Sequence, residues 1–209
     1  MFLKGLFEGG LLPESVRVRG YTVRLAEEED ILVLPAVERA AAQRFLPYLA
    51  QLEISVEQLE GLTPLTFLRR SQAEKRLWVA VPTDESTPIG FIVAKFLPES
   101  CFIIELSVHP DHGRRGVGSA LISACCQSAS FRGAARVTLT TFRYVPWNIP
   151  FYQRSGFKIL TAEHWSPAVK AIVEHEDRYG FLTKHRVVMA RPSVGKMTAA
   201  NDGGKMAAE

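Results

Sequence analysis

The chain has few cysteines, no long Lys/Arg block and no long apolar run, and each shortage excludes a class of protein. Three cysteines in 209 residues, Cys101 and the adjacent Cys125 and Cys126, are an odd number at a spacing that suits neither a disulfide framework nor a zinc knuckle. A reducing compartment is expected, and the chain reads as cytoplasmic. The five histidines nowhere form a His-Glu-x-x-His or comparable ligand cluster, so no metal is expected. The net charge of +3 comes without a Lys/Arg block, which argues against nucleic acid as a partner and leaves a mild preference for anionic ligands. The apolar opening Met1–Phe7 is broken by Glu8 and Gly9-Gly10 before a signal core or a spanning helix is complete, so no membrane partner is expected.

What is present is 47% hydrophobic and 22% charged residues, the balance of one compact domain with a substantial core. Residues 1–15 read as an N-terminal extension and 16–190 as the domain. From Arg191 to Glu209, Pro, Gly, Ala, Lys and Asn follow one another without apolar period, and a disordered tail is expected there.

Within the domain, Val16–Leu25 alternates apolar and polar residues as one strand, and Glu27–Asp30 places acid at the start of a helix that runs towards Phe45 with a kink near Pro35. Ser55 is a cap for a second short helix, and Pro64–Glu74 a third. Leu77–Val81, Ile89–Phe96 and Cys101–Val108 are β-rich runs with short connections, hence an antiparallel meander. From Gly116 to Ser130 the period becomes helical, Gly133 supplies a stop, and Arg136–Phe142 returns to strand. Strand, helix, strand is a crossover unit, so the sheet is mixed, with a parallel pair flanking that helix. A helix Asn148–Ser155, a strand from Phe157, a helix Pro167–Tyr179 and a strand Arg186–Met189 complete an α/β (α+β) fold.

The most informative stretch is Val108-His109-Pro110-Asp111-His112-Gly113-Arg114-Arg115-Gly116-Val117-Gly118-Ser119, a strand turning directly into a helix. Free N–H groups and the dipole at a helix start attract an anion, Gly116 and Gly118 leave room for a phosphate, and Arg114 and Arg115 supply charge at the rim. An ordinary glycine turn is the alternative. The dinucleotide fingerprint fails, because Leu121 stands where a third glycine belongs and Thr138–Thr141 where an acid belongs. The P-loop fails too, for want of Gly-Lys-Ser/Thr.

Over residues 16–190 this order of elements, the turn His109–Ser119 and the pattern Tyr152-Gln153-Arg154-Ser155-Gly156-Phe157 preceded by Asn148 resemble the GNAT family of N-acetyltransferases. The resemblance implies a mixed, mostly antiparallel sheet whose two central parallel strands splay, with helices on both faces. It also implies acetyl-CoA as co-substrate, its pyrophosphate held by amides of the loop from Gly113 through Arg114, Arg115, Gly116, Val117 and Gly118 to Ser119. Gly113 stands where the family usually has Arg or Gln, which removes one side-chain contact and leaves the amide cradle. The pantetheine arm would lie along Leu106, Ser107 and Val108, with Asn148 as a further contact, although the Asn-to-Tyr gap is shorter here than usual. The hydroxyl of Tyr152 would lie near the CoA sulfur as general acid; a core aromatic is the other reading.

Glu105 is the only charged residue in Cys101–Val108, where an unpaired charge is costly. Its position resembles that of the family's general base; a salt bridge or an outward-facing carboxylate are the alternatives. Cys125 falls on the buried stripe of its helix, which argues for packing over an acyl-cysteine route. Glu38, Arg39 and Phe45 are candidates for the acceptor site. The expected activity is acetyl transfer to a primary amine of a small molecule in a ternary complex. A protein or peptide acceptor, with the segment Thr161–His185 clasping it, and a non-catalytic acyl-CoA-binding module are the alternatives, and a homodimer is left open.

Overall fold

A computed structural model of the chain describes residues 15–18 and 20–193. β1 (Ser15–Val18) and β2 (Tyr21–Leu25) form an antiparallel hairpin with Gly20 in the left-handed region, φ 85°. The single strand expected over residues 16–25 is thus two. Its alternation changes phase between Val18 and Tyr21, which a continuous strand cannot do without turning its apolar side outward.

The acids Glu28–Asp30 form a 3-10 turn, and α1 (Leu34–Ala42) follows with Pro35 in its first turn. There the missing N–H costs nothing, so the proline opens the helix instead of kinking it. α2 (Leu49–Leu52) and α3 (Val56–Leu59) are single turns; Ser55 caps α3 as expected, and Gln58 completes a capping box with it. α4 is Leu65–Ala73. β3 (Leu77–Pro82), β4 (Gly90–Phe96) and β5 (Ser100–Val108) make the antiparallel meander, and α5 (Val117–Phe131) crosses over to β6 (Arg136–Phe142), parallel to β5. α6 (Asn148–Arg154), the two-residue β7 (Lys158–Ile159), α7 (Pro167–Arg178) and β8 (Arg186–Pro192) follow.

One mixed, mostly antiparallel sheet of eight strands results, in the order β1-β2-β3-β4-β5-β6-β8-β7. α5 covers one face, where Leu121, Cys125 and Ile122 pack on Val23, Ile92, Ile103, Leu139 and Met189. α1 and α4 cover the other face over β3 and β4 through Leu34, Val37, Leu68, Val79, Phe91 and Val93. α7 covers the same face further along, Val169 and Val173 meeting Phe102 and Val188.

β8 runs on to Pro192, and Ser193 N–H donates to Ala135 O at 3.2 Å, so Arg191 and Pro192 belong to the sheet and not to a tail. They pair with Val137 and Arg136, a register that the local sequence pattern does not reveal. The rest of the expected tail, 194–209, and the expected extension up to residue 14 lie outside the described residues. No helix among the described residues is long and apolar enough to cross a membrane.

Candidate functional site

The central strands part company half-way along. Among the described residues, β5 pairs with β6 only from Ser100–Ile103 against Arg136–Leu139, and its remaining residues to Val108 have no partner on that edge. The divergence begins at a β-bulge: the ladder with β4 steps from Ala94 opposite Ile103 to Val93 opposite Glu105, leaving Ile104 unpaired and exposed. A bulge bends its strand and strengthens its twist, here away from β6. His109 N–H donates to Ile89 O at 2.8 Å, so the pairs that alternate with it, Ser107 with Phe91 and Glu105 with Val93, bond towards β4. The peptide groups of Leu106 and Val108 therefore face the open seam.

At the wide end of the seam lies the turn before α5. His109 starts a 3-10 turn, Gly113 N–H closes it on Pro110 O at 2.9 Å, and Arg114 (φ 60°) and Gly116 (φ 85°) take left-handed conformations. Among the described residues, the amides from Arg114 to Ser119 find no main-chain acceptor. Consecutive unpaired N–H groups at the start of a 15-residue helix form a nest for a phosphate-sized anion. One expectation changes in detail here. Gly113 has spent its own amide within the turn, so the free row starts at Arg114. Arg115 donates to Tyr21 Oη at 3.0 Å, and that hydroxyl lies 3.0 Å from His112 Nδ1 of the turn. Gly118 is needed chiefly for packing, since a Cβ there would sit 3.1 Å from Phe151 Cζ of α6.

Two carboxylates and a phenol gather by the seam. Glu105 extends from β5 to the α1 side, half-buried, and its Oε1 accepts from Ser107 Oγ at 2.8 Å. Burial pushes its carboxyl above the usual range, while the Ser107 hydroxyl, the Leu106 amide and the charge of Arg186 pull it back. Glu38, buried on α1, accepts from Thr63 N–H at 3.0 and 3.1 Å and from Thr63 Oγ1 at 2.8 Å. Burial and then the negative charge of Glu105 push Glu38 up to about 7, against the Thr63 bonds. Tyr152 of α6 packs edge-on against Phe151 and Phe157, with centroids 5.0 and 5.8 Å away, and burial followed by the charge of Glu105 raises its phenol further above its ordinary value. Asn148, the first residue of α6, is buried.

The sequence prediction thus names residues that the fold assembles: Leu106, Ser107, Val108, the turn to Ser119, Glu105 and Tyr152 border one seam. It did not anticipate Thr63, which holds Glu38, and nothing in the neighbours of Thr63 marks it. Phe45, a candidate from the first helix, joins an aromatic cluster instead, 5.5 Å from Phe142 and 5.7 Å from Trp147, and Arg39 is exposed. The cysteines are buried in the core with Cys101 Sγ 3.9 Å from Cys125 Sγ; that contact, and then burial, push the Cys125 thiol well above its ordinary value. Among the described residues no three His, Cys, Asp or Glu side chains come together as a metal site.

The arrangement is similar to known proteins in fold. It resembles the PaiA N-acetyltransferase of Thermoplasma acidophilum in complex with coenzyme A, at 19% identity and a TM-score of 0.61 over 83% of this chain and 99% of that one. The ribosomal-protein-S18-alanine N-acetyltransferase of Escherichia coli matches at 16% identity and a TM-score of 0.56 over 86% and 97% of the two chains. The NatC complex bound to Gag peptide and CoA matches at 13% identity and 0.56 over 83% and 99%. The model of the Acetyltransferase (GNAT) family covers residues 47–157, which take in the meander, the turn, α5, β6 and α6. The chain belongs to the GNAT family of acetyltransferases.

Proposed function

We propose that the protein transfers an acetyl group from acetyl-CoA to the primary amine of a small molecule by direct attack. The observation that carries this reading is the unpaired row of amides from Arg114 to Ser119 beside a seam whose peptide groups at Leu106 and Val108 also lack strand partners. Such a surface fits a diphosphate followed by an amide-bearing arm. Gly116, Val117, Gly118 and Ser119 would hold the diphosphate with Arg114 at the rim, and Leu106, Ser107, Val108 and Asn148 would flank the pantetheine. When bound, acetyl-CoA supplies an acyl group already activated as a thioester.

The residues of the chain then have to manage protons. An alkyl amine with a pKa near 10.4 is only about one part in 2,500 neutral at pH 7, so a base beside the acceptor is worth several kcal/mol. Glu105 takes that proton, directly or through water; burial has raised its proton affinity above that of an ordinary carboxylate, as a base working near neutrality requires. Tyr152 keeps its proton at neutral pH and can hand it to the departing thiolate.

The test combines thermal shift with thiol release. Acetyl-CoA should raise the melting temperature where NAD and ATP do not, and small primary amines should release CoA faster than peptides. Thiol release with peptides alone would move the acceptor class to polypeptides. A thermal shift without release from any amine would leave an acyl-CoA-binding module.

A further inference from the structure

Tyr21 is the first residue of β2, just past the Gly20 turn, and it belongs to the core on the α5 face, with Val117, Ala120 and Leu121. Its ring is 5% exposed, and a phenylalanine would fill the same place. The hydroxyl is what needs a reason, because a phenol carried into a core takes a hydrogen-bond partner at its polar tip. It has two, and both come from the turn before α5. Arg115 Nη1 donates to Oη at 3.0 Å, and Oη lies 3.0 Å from Nδ1 of His112, whose ring stands edge-on to the phenol at a centroid distance of 5.7 Å. With the Arg115 bond accepted, the hydroxyl's own proton is free for Nδ1.

These two partners straddle the point where the turn leaves ordinary backbone. His112 ends the 3-10 turn Pro110–His112, and Arg115 precedes the left-handed Gly116. Between them Arg114 holds φ at 60°, a region that a residue with a side chain keeps only where its surroundings hold it. Left-handed residues are what curl successive amides to one side as a nest, so the shape of the anion site depends on residues 112 and 115 staying in place. A single hydroxyl on a sheet strand ties both. The neighbouring β1 meets the same turn, with Val18 Cγ1 3.7 Å from where a Cβ on Gly116 would stand.

We propose that Tyr21 is a positioning residue for coenzyme binding: through His112 and Arg115 its hydroxyl keeps the turn in its anion-receiving shape before the coenzyme arrives. The first hairpin of the chain thereby has a part in the site as well as in the sheet. The inference rests on the turn being the diphosphate site. Holding a site in its bound shape beforehand lowers the ordering cost of binding, so the effect of the hydroxyl falls on affinity.

The experiment is isothermal titration of CoA into the full chain for the wild type, Tyr21→Phe, His112→Ala and the double variant. Tyr21→Phe leaves the ring in the core and gives His112 and Arg115 to water, so the fold should stand while the turn loosens. The dissociation constant of CoA should rise about 3- to 10-fold, the effect of about one buried hydrogen bond, with one site per chain retained. A fold that is merely weakened would lower the number of sites and leave the constant alone. His112 is half-buried and its amide is already bonded to His109 O, so His112→Ala tests the same tie from outside the free row. It should weaken CoA as well, and the double variant should lose less than the product of the two single effects. If the wild type binds CoA and Tyr21→Phe binds it equally well, Tyr21 has no such part, although the turn remains the coenzyme site. Effects that multiply in the double variant overturn the tie through His112. Should Tyr21→Phe fail to fold, His112→Ala carries the test alone, and an unchanged constant there overturns the proposal. A wild type that does not bind CoA removes the reading of the turn, and this inference with it.

Discussion

Glu38 and Glu105 face each other between α1 and β5 closely enough that the charge of one raises the proton affinity of the other. Neither is an isolated surface acid. Glu38 is held by Thr63 and Glu105 by Ser107. The charge of Glu105 favours a protonated Glu38, and the apparent titrations belong to the pair.

That coupling makes stability depend on pH with a definite sign. The folded-state value of Glu38 lies at about 7, above an unfolded value of 4.5. Its favourable contribution is therefore complete below about pH 4.5 and is lost as pH rises through 7. Glu38→Gln should flatten the fall in melting temperature between about pH 5 and 8, by an amount worth on the order of 1–3 kcal/mol at the alkaline end. Thermal melts of both proteins across that range are the check, and parallel curves would remove Glu38 from the account.

Tyr152→Phe keeps the ring contacts with Phe151 and Phe157 and deletes only the hydroxyl. Turnover should fall about 10²-fold, while the thermal shift produced by acetyl-CoA should persist. Full turnover in the variant at every pH would show that some other group, or water, protonates the thiolate.

The two glycines of the turn should fail for different reasons. Gly118→Ala drives a methyl to 3.1 Å from Phe151 Cζ and should cost about 1–3 kcal/mol of stability, recovered in part by Phe151→Leu. Gly116→Ala meets nothing closer than Val18 at 3.7 Å but must hold φ at 85°, so it should cost about 1–2 kcal/mol that no second-site trimming restores. Urea denaturation of the single and double variants separates the two cases.

The cysteines should be chemically silent in the native state. All three are fully buried, and burial raises the Cys126 thiol to about 11. Alkylating reagents added to the folded protein should leave thiol release unchanged, and Cys125→Ala should lower stability without lowering kcat. Rapid inactivation by iodoacetamide would point to a thiolate in the reaction.

What local chemistry could dictate, the sequence determined by itself. The glycine turn after Val108, the helical period from Val117, the cap at Ser55 and the β-rich meander are each written in contiguous stretches of chain, and they determine the order of elements and the family. Glu105 stood out because one charge in an apolar strand needs a reason. The tertiary structure decided what depends on chain segments meeting. The bulge at Ile104 that opens the seam arises from the register between two strands, and register leaves no mark on either alone. The charge of Glu105 acts on Glu38 and Tyr152, which lie 67 and 47 residues away along the chain and come near it only when the sheet brings their elements together. Electrostatic energy depends on distance in space, and a sequence records only distance along the chain.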